Sequence, residues 1–135
     1  MSPVYQKVIL ERGVFVVSLD FELAWGTRGR PSASKVGRHL SGSRQAIDRM
    51  LQLFQQYNIS ATWAMVGGLL LGGEKRHPLL SDARYDDIPV GDCRSQPNWY
   101  AEDVVQKIVD CDVQQEIGCH TLCLLYTSPS PRDRG

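Results

Sequence analysis

Residues 13–23 read GVFVVSLDFEL. A continuous apolar run, Val14 to Val17, is followed within five residues by two carboxylates, Asp20 and Glu22. A run of this kind suits a strand buried on both faces, as in a parallel sheet. Alternation along the strand puts Asp20 and Glu22 on one side and Phe21 on the other. Carboxylates at the carboxyl end of a buried parallel strand stand where α/β folds assemble their sites. They are costly there unless paired or bound to a cation.

The segments that follow extend this pattern. Residues 28–42, RGRPSASKVGRHLSG, mix Gly, Pro, Ser and Arg without periodicity and are predicted as a loop. Residues 43–58, SRQAIDRMLQLFQQYN, are predicted as a helix. Ser43 is its N-cap, and Ala46, Ile47, Met50, Leu51, Phe54 and Tyr57 form one apolar stripe. Asn58 ends it in a left-handed conformation. ISATWAMVG (59–67) follows almost without a linker and reads as a second buried strand. Residues 68–98 read as a long loop after a short helical turn at GLLL. YAEDVVQKIVDC (100–111) is a second amphipathic helix with Val104, Val105, Ile108 and Val109 inward, and QEIGCH (115–120) a short third strand ending on His120. The order β-α-β-α-β predicts an α/β architecture with parallel strands.

Composition narrows the function classes. The 135 residues allow at most one domain, and fifteen basic residues balance fifteen acidic ones. Zero net charge gives no electrostatic case for nucleic acid or an anionic membrane as partner. The apolar VIL near the start is interrupted at once by Glu11 and Arg12. With no signal peptide or membrane span recognisable, a cytoplasmic location is the expectation. The four cysteines, Cys93, Cys111, Cys119 and Cys123, form no CxxC pair and are expected to be reduced thiols.

Three pieces carry chemistry: SLDFE with Asp20 and Glu22, SATWAMVG with Trp63, and QEIGCHT with His120. Trp63 reads first as a core aromatic and second as a substrate-binding one. In this order and spacing the three pieces resemble the polysaccharide deacetylase family, the NodB-like carbohydrate esterases, over roughly residues 13 to 122. The family's first motif is a strand ending in Thr-Phe-Asp-Asp or an Asp-x-acid variant. Its next strand commonly reads Ala-Thr-Phe-Phe, and its second motif reads Glu-Ile-Gly-x-His-Thr with a further histidine four places on.

The resemblance implies a partial (β/α) barrel of the polysaccharide deacetylase type, truncated after about three strands. A divalent metal, zinc, would sit at the carboxyl ends of those strands and an acetylated carbohydrate would be the substrate. By position Asp20 is the catalytic base, and Glu22 and His120 are metal ligands; the two carboxylates could exchange roles. Thr121 would orient the turn and Glu116 support it. Two departures stand out: Phe21 occupies the place of the second aspartate, and position 124, where the second histidine belongs, is Leu124. His39 and His77 have neither family position.

From about Leu122 the pattern stops. CLLYTSPSPRD (123–133) has two Ser-Pro steps and no apolar period, and it resembles the translated read-through of a sequencing adapter. Residues 1–122 are therefore expected to be the amino-terminal part of a deacetylase-like domain, and 123–135 a non-native, disordered tail. Such a fragment is expected to be poorly stable and inactive. Other readings are an allantoinase-like amidase on the same barrel, a catalytically silent glycan-binding barrel and, weakest, a glycosidase acid pair. Glycosidase carboxylates flank the scissile bond, whereas two side chains two apart on a strand share a side.

Overall fold

Two crossovers, each carrying a helix, return the chain to the same sheet in the same direction. In a computed structural model that describes residues 11–29 and 33–120, the strands are β1 (Ser18–Phe21), β2 (Thr62–Met65) and β3 (Glu116–Cys119). Helix α1 (Ala33–Tyr57) joins the first two, and α2 (Glu102–Val109) precedes the third. The sheet order is β1-β2-β3, with both pairs parallel. Asp20, Ala64 and Gly118 stand in one row, and Phe21, Met65 and Cys119 in the next. The β-α-β-α-β order expected from the sequence is therefore present. The sequence of residues 121–135, including Thr121, Leu124 and the expected tail, lies outside the described residues.

Alternation divides the sheet into two unlike faces. Phe21, Trp63 and Met65 are buried in the core with the helices. Asp20 and Glu116 on the opposite face are exposed, and Ala64 and Gly118 between them are small. Helix α1 delivers Ile47, Leu51 and Phe54 to the core, and α2 delivers Val104 and Ile108. Trp63 is the hub, with the rings of Phe54 and Phe21 edge-on at 6.2 and 6.4 Å.

Four expectations are corrected. The run Val14–Val17 is not a strand buried on both faces: Val14, Phe15 and Val16 are 62, 91 and 70% exposed. The first interstrand bond runs from the Thr62 amide to the Val17 carbonyl, 3.0 Å. Among the described residues, no strand pairs with the residues before Val17 and no second layer packs against them.

Helix α1 begins at Ala33 rather than Ser43. Leu40, one heptad before Ile47, extends the apolar stripe and packs on the core. Tertiary burial thus overrides the Ser and Gly residues that suggested a loop. Ser43 is consequently inside the helix, and its hydroxyl donates to the His39 carbonyl one turn back, 3.1 Å.

Tyr57 and Val109, at the carboxyl ends of their helices, are exposed rather than inward. Lastly, residues 66–101 are less loose than a long loop. They carry short 3-10 turns at Gly67–Leu70, Pro78–Leu80 and Ala83–Tyr85. The Arg76 guanidinium stitches them by donating to the carbonyls of Leu80, Tyr85 and Ile88. The turn at Gly67–Leu70 agrees with the expectation for GLLL.

The end of α1 follows the sequence reading. Asn58 adopts φ 53°, and its amide donates to the Gln55 carbonyl while that of Ile59 donates to the Phe54 carbonyl. This is the Schellman pattern, with Ile59 and Phe54 supplying its apolar contact.

Two predictions follow from these local features. Gly42 lies within α1, and a Cβ there meets nothing within 4 Å. Gly42→Ala should therefore stabilise the chain by about 0.5–1 kcal/mol in urea or thermal unfolding. The second concerns Asp87, whose carboxylate accepts from the Arg28 guanidinium. That hydrogen bond holds its pKa below the ordinary aspartate value. A lowered folded pKa contributes stability above the unfolded value, about 3.9, and loses it as pH falls through the folded one. The thermal midpoint of the native chain should exceed that of Asp87→Asn near neutrality, and the gap should close as pH falls below about 4.

Candidate metal centre

The strand ends are tied flush. The Val66 amide donates to the Phe21 carbonyl at 3.1 Å, and the His120 amide to the Met65 carbonyl at 2.8 Å. His120, the first residue past β3, is thereby fixed by its own backbone beside the end of β2. Asp20 is the third residue of β1 and projects on the open face, away from Phe21.

Glu22 does not continue the strand as alternation predicts. Its backbone turns (φ −127°, ψ −33°) into the 3-10 turn Leu23–Thr27. Leu23 takes φ 48°, a left-handed conformation uncommon for a branched residue and costing about 1–3 kcal/mol. The surroundings impose it: Leu23, Ala24 and Trp25 are all buried. The Ala24 amide donates to the Asn98 carbonyl at 3.0 Å, and the Trp25 indole N–H to the Trp99 carbonyl at 2.7 Å.

This turn carries the Glu22 carboxylate to His120, 98 residues away in sequence, with Oε1 3.0 Å from Nε2. Asp20, Glu22 and His120 each offer a ligand atom, all within 4.8 Å of one another. The Glu22 and His120 side chains are 26 and 31% exposed, so the cluster is open to solvent. Two carboxylates and an imidazole form an oxygen-and-nitrogen donor set suited to a divalent cation of borderline hardness, such as zinc. In donor chemistry the cluster fits the divalent metal that the resemblance implies. Hydrolytic zinc sites normally combine three protein ligands with an open position. Glu22 and His120 would supply two of those ligands, and Asp20, expected as the base, lies within the same 4.8 Å.

A cleft of about 350 Å³ opens beside the carboxylates. Its lining includes Asp20 and Glu22 together with Leu40, Ile47 and Met50 of α1.

The remaining candidates lie elsewhere. Trp63 is 1% exposed in the core, and its indole N–H donates to the Gln115 side chain at 3.1 Å. It supports the sheet from beneath, and it is among the residues lining the cleft beside the carboxylates. Glu116 stands at the first residue of β3 and accepts a hydrogen bond from the Thr62 hydroxyl. His39 lies on α1, and His77 caps the Pro78–Leu80 turn through Nδ1, which accepts from the Leu79 amide. Sequence reasoning missed Trp25, Gly26 and the Asn98–Trp99 strand of chain that grips them. The signal available was the WG pair directly after the carboxylates. No family model matches the chain, and no curated protein or solved structure is significantly similar to it.

The cluster predicts a measurable affinity. The chain should bind zinc at one site in competition with a chromophoric chelator. Asp20→Asn, Glu22→Gln and His120→Ala should each weaken binding by more than about tenfold, since loss of even an outer-shell partner costs about 10–100-fold. Far-ultraviolet circular dichroism should stay unchanged.

Proposed function

We propose that this chain carries the metal-binding part of a carbohydrate deacetylase, hydrolysing N- or O-linked acetyl groups from a poly- or oligosaccharide. The observation that carries the reading is the convergence of Asp20 and Glu22 from β1 with His120 after β3, at the carboxyl end of the three-stranded parallel sheet. Those residues come from the same two motifs whose order and spacing resemble the polysaccharide deacetylases. The resemblance, rather than any further geometry, supplies the barrel, the sugar and the acetyl group.

A bound divalent metal would supply the Lewis acidity that activates water and polarises the acetyl carbonyl. The chain's own groups divide the remaining work. Glu22 and His120, each only partly exposed, hold the cation. Asp20, exposed on the sheet face, is the base that takes the proton from the attacking water. An uncharged acetyl group needs no complementary charge on the surrounding surface, in keeping with the balanced composition.

The proposal treats Leu124 as the place of a missing ligand and residues 123–135 as foreign to the domain, so the chain as written is expected to be inactive. Leu124→His would restore the His-x-x-x-His spacing and should tighten zinc binding by at least about tenfold. The function itself is tested on the gene read past codon 121 from an independent clone. Its product should carry a histidine four places after His120 and release acetate from acetylated chito-oligosaccharide or xylan. Asp20→Asn should abolish that release. Acetate release indifferent to Asp20→Asn would refute the assignment, and recurrence of the same tail in the clone would refute its foreign origin.

A further inference from the structure

We infer that Gly26 is a positioning residue for the metal centre: the space left by its missing side chain seats the Glu22 carboxylate. This rests on the metal-centre reading above and extends it to a residue with no ligand atom of its own.

Gly26 lies in the Leu23–Thr27 turn, four residues after Glu22. A Cβ built on Gly26 would overlap Glu22 Oε2, and its three nearest atoms all belong to the Glu22 side chain. The other oxygen, Oε1, is the one 3.0 Å from His120 Nε2. The carboxylate is thus held between the Gly26 notch on one side and His120 on the other. Backbone conformation does not explain the glycine. The left-handed glycines among the described residues are Gly29 and Gly91, so Gly26 has a conformation open to other residues. What the position requires is space, and Glu22 occupies that space.

The notch is rigid because the turn is anchored on two sides. Trp25, 2% exposed, donates its indole N–H to the Trp99 carbonyl and packs edge-on against the Trp99 ring, with centroids 5.7 Å apart. On its other side a Cβ at Gly68 would overlap the Trp25 indole. The segment that grips Trp25 is itself held by α1, where the Arg44 guanidinium donates to the carbonyls of Pro97 and Tyr100 at 3.2 and 3.3 Å. The position of one carboxylate is therefore set by a continuous series of contacts from α1 to the turn. A ligand fixed before the cation arrives loses little freedom on binding, which raises affinity.

The test is zinc titration of the whole chain as the native sequence, Gly26→Ala, Glu22→Asp and the double variant. Gly26→Ala should weaken zinc binding by about tenfold or more. Glu22→Asp retracts the carboxylate by one methylene from residue 26, so adding Gly26→Ala to it should change affinity less than about twofold. An unchanged affinity in Gly26→Ala would overturn the inference. So would an equal loss in both backgrounds, the signature of a general structural role. If Gly26→Ala fails to fold, the double variant should fold, because the closest overlap is with Glu22 Oε2 and the shorter aspartate withdraws it; failure of both would overturn it. Absence of zinc binding by the native chain, with Glu22→Gln indistinguishable from it, would instead remove the metal centre on which the inference rests.

Discussion

Parallel pairing in register is the constraint on which the rest of the molecule depends. Because Phe21, Met65 and Cys119 share a row, the residues that leave the sheet after them, Glu22 and His120, emerge side by side although 98 positions separate them. A slip of one residue in β3 would turn its side chains to the opposite faces. It would also take the His120 amide from the Met65 carbonyl and move the imidazole away from Glu22. The register is held from below by Trp63, which fills the space between β2 and α1 and meets the side chain of Gln115 just ahead of β3. The core aromatic and the exposed cluster are thus two ends of one arrangement, and Trp63 serves the site by fixing the strands that carry it.

Among the described residues, one face of the sheet is protected and the other is not. Its helical side buries Phe21, Trp63 and Met65, whereas the side carrying Asp20 presents small or polar residues: Ser18, Thr62, Ala64, Glu116 and Gly118. Parallel sheets ordinarily have both faces covered. The composition of the open face, small or polar throughout, is unlike that of a core. The exposed Val14, Phe15 and Val16 have no such explanation within the site. They form an apolar run below the first ladder bond and are an aggregation hazard for the chain as written.

The strands' existence, order and direction were legible because each depends on local pattern: short β-branched or aromatic runs separated by helical periods. Asp20, Glu22 and His120 were legible because each sits at a strand end, where chain order alone brings side chains together. What the sequence concealed depends on contacts across the fold. Helix α1 extends ten residues earlier than its cap signal because Leu40 finds the core. Glu22 leaves the strand because Leu23, Ala24 and Trp25 are drawn inward. The role of Gly26 was hidden for the same reason, because a glycine after a tryptophan reads as a turn until the carboxylate lying against it is seen.

On the proposed deacetylase reading, the division of labour between the two carboxylates follows from how each is held. Glu22 is confined on both oxygens, with Oε1 against His120 and Oε2 over Gly26, on a turn whose backbone is tied to Asn98. A group so restricted suits a ligand, whose value lies in staying where the cation needs it. Asp20 projects from a regular strand onto an open face and is exposed. A base must reach a water, accept its proton and release it again, which requires solvent access and some rotational freedom. The sequence alone left the roles exchangeable. The contrast between a wedged Glu22 and an open Asp20 favours Glu22 as ligand with His120 and Asp20 as base, within reach of the same cation.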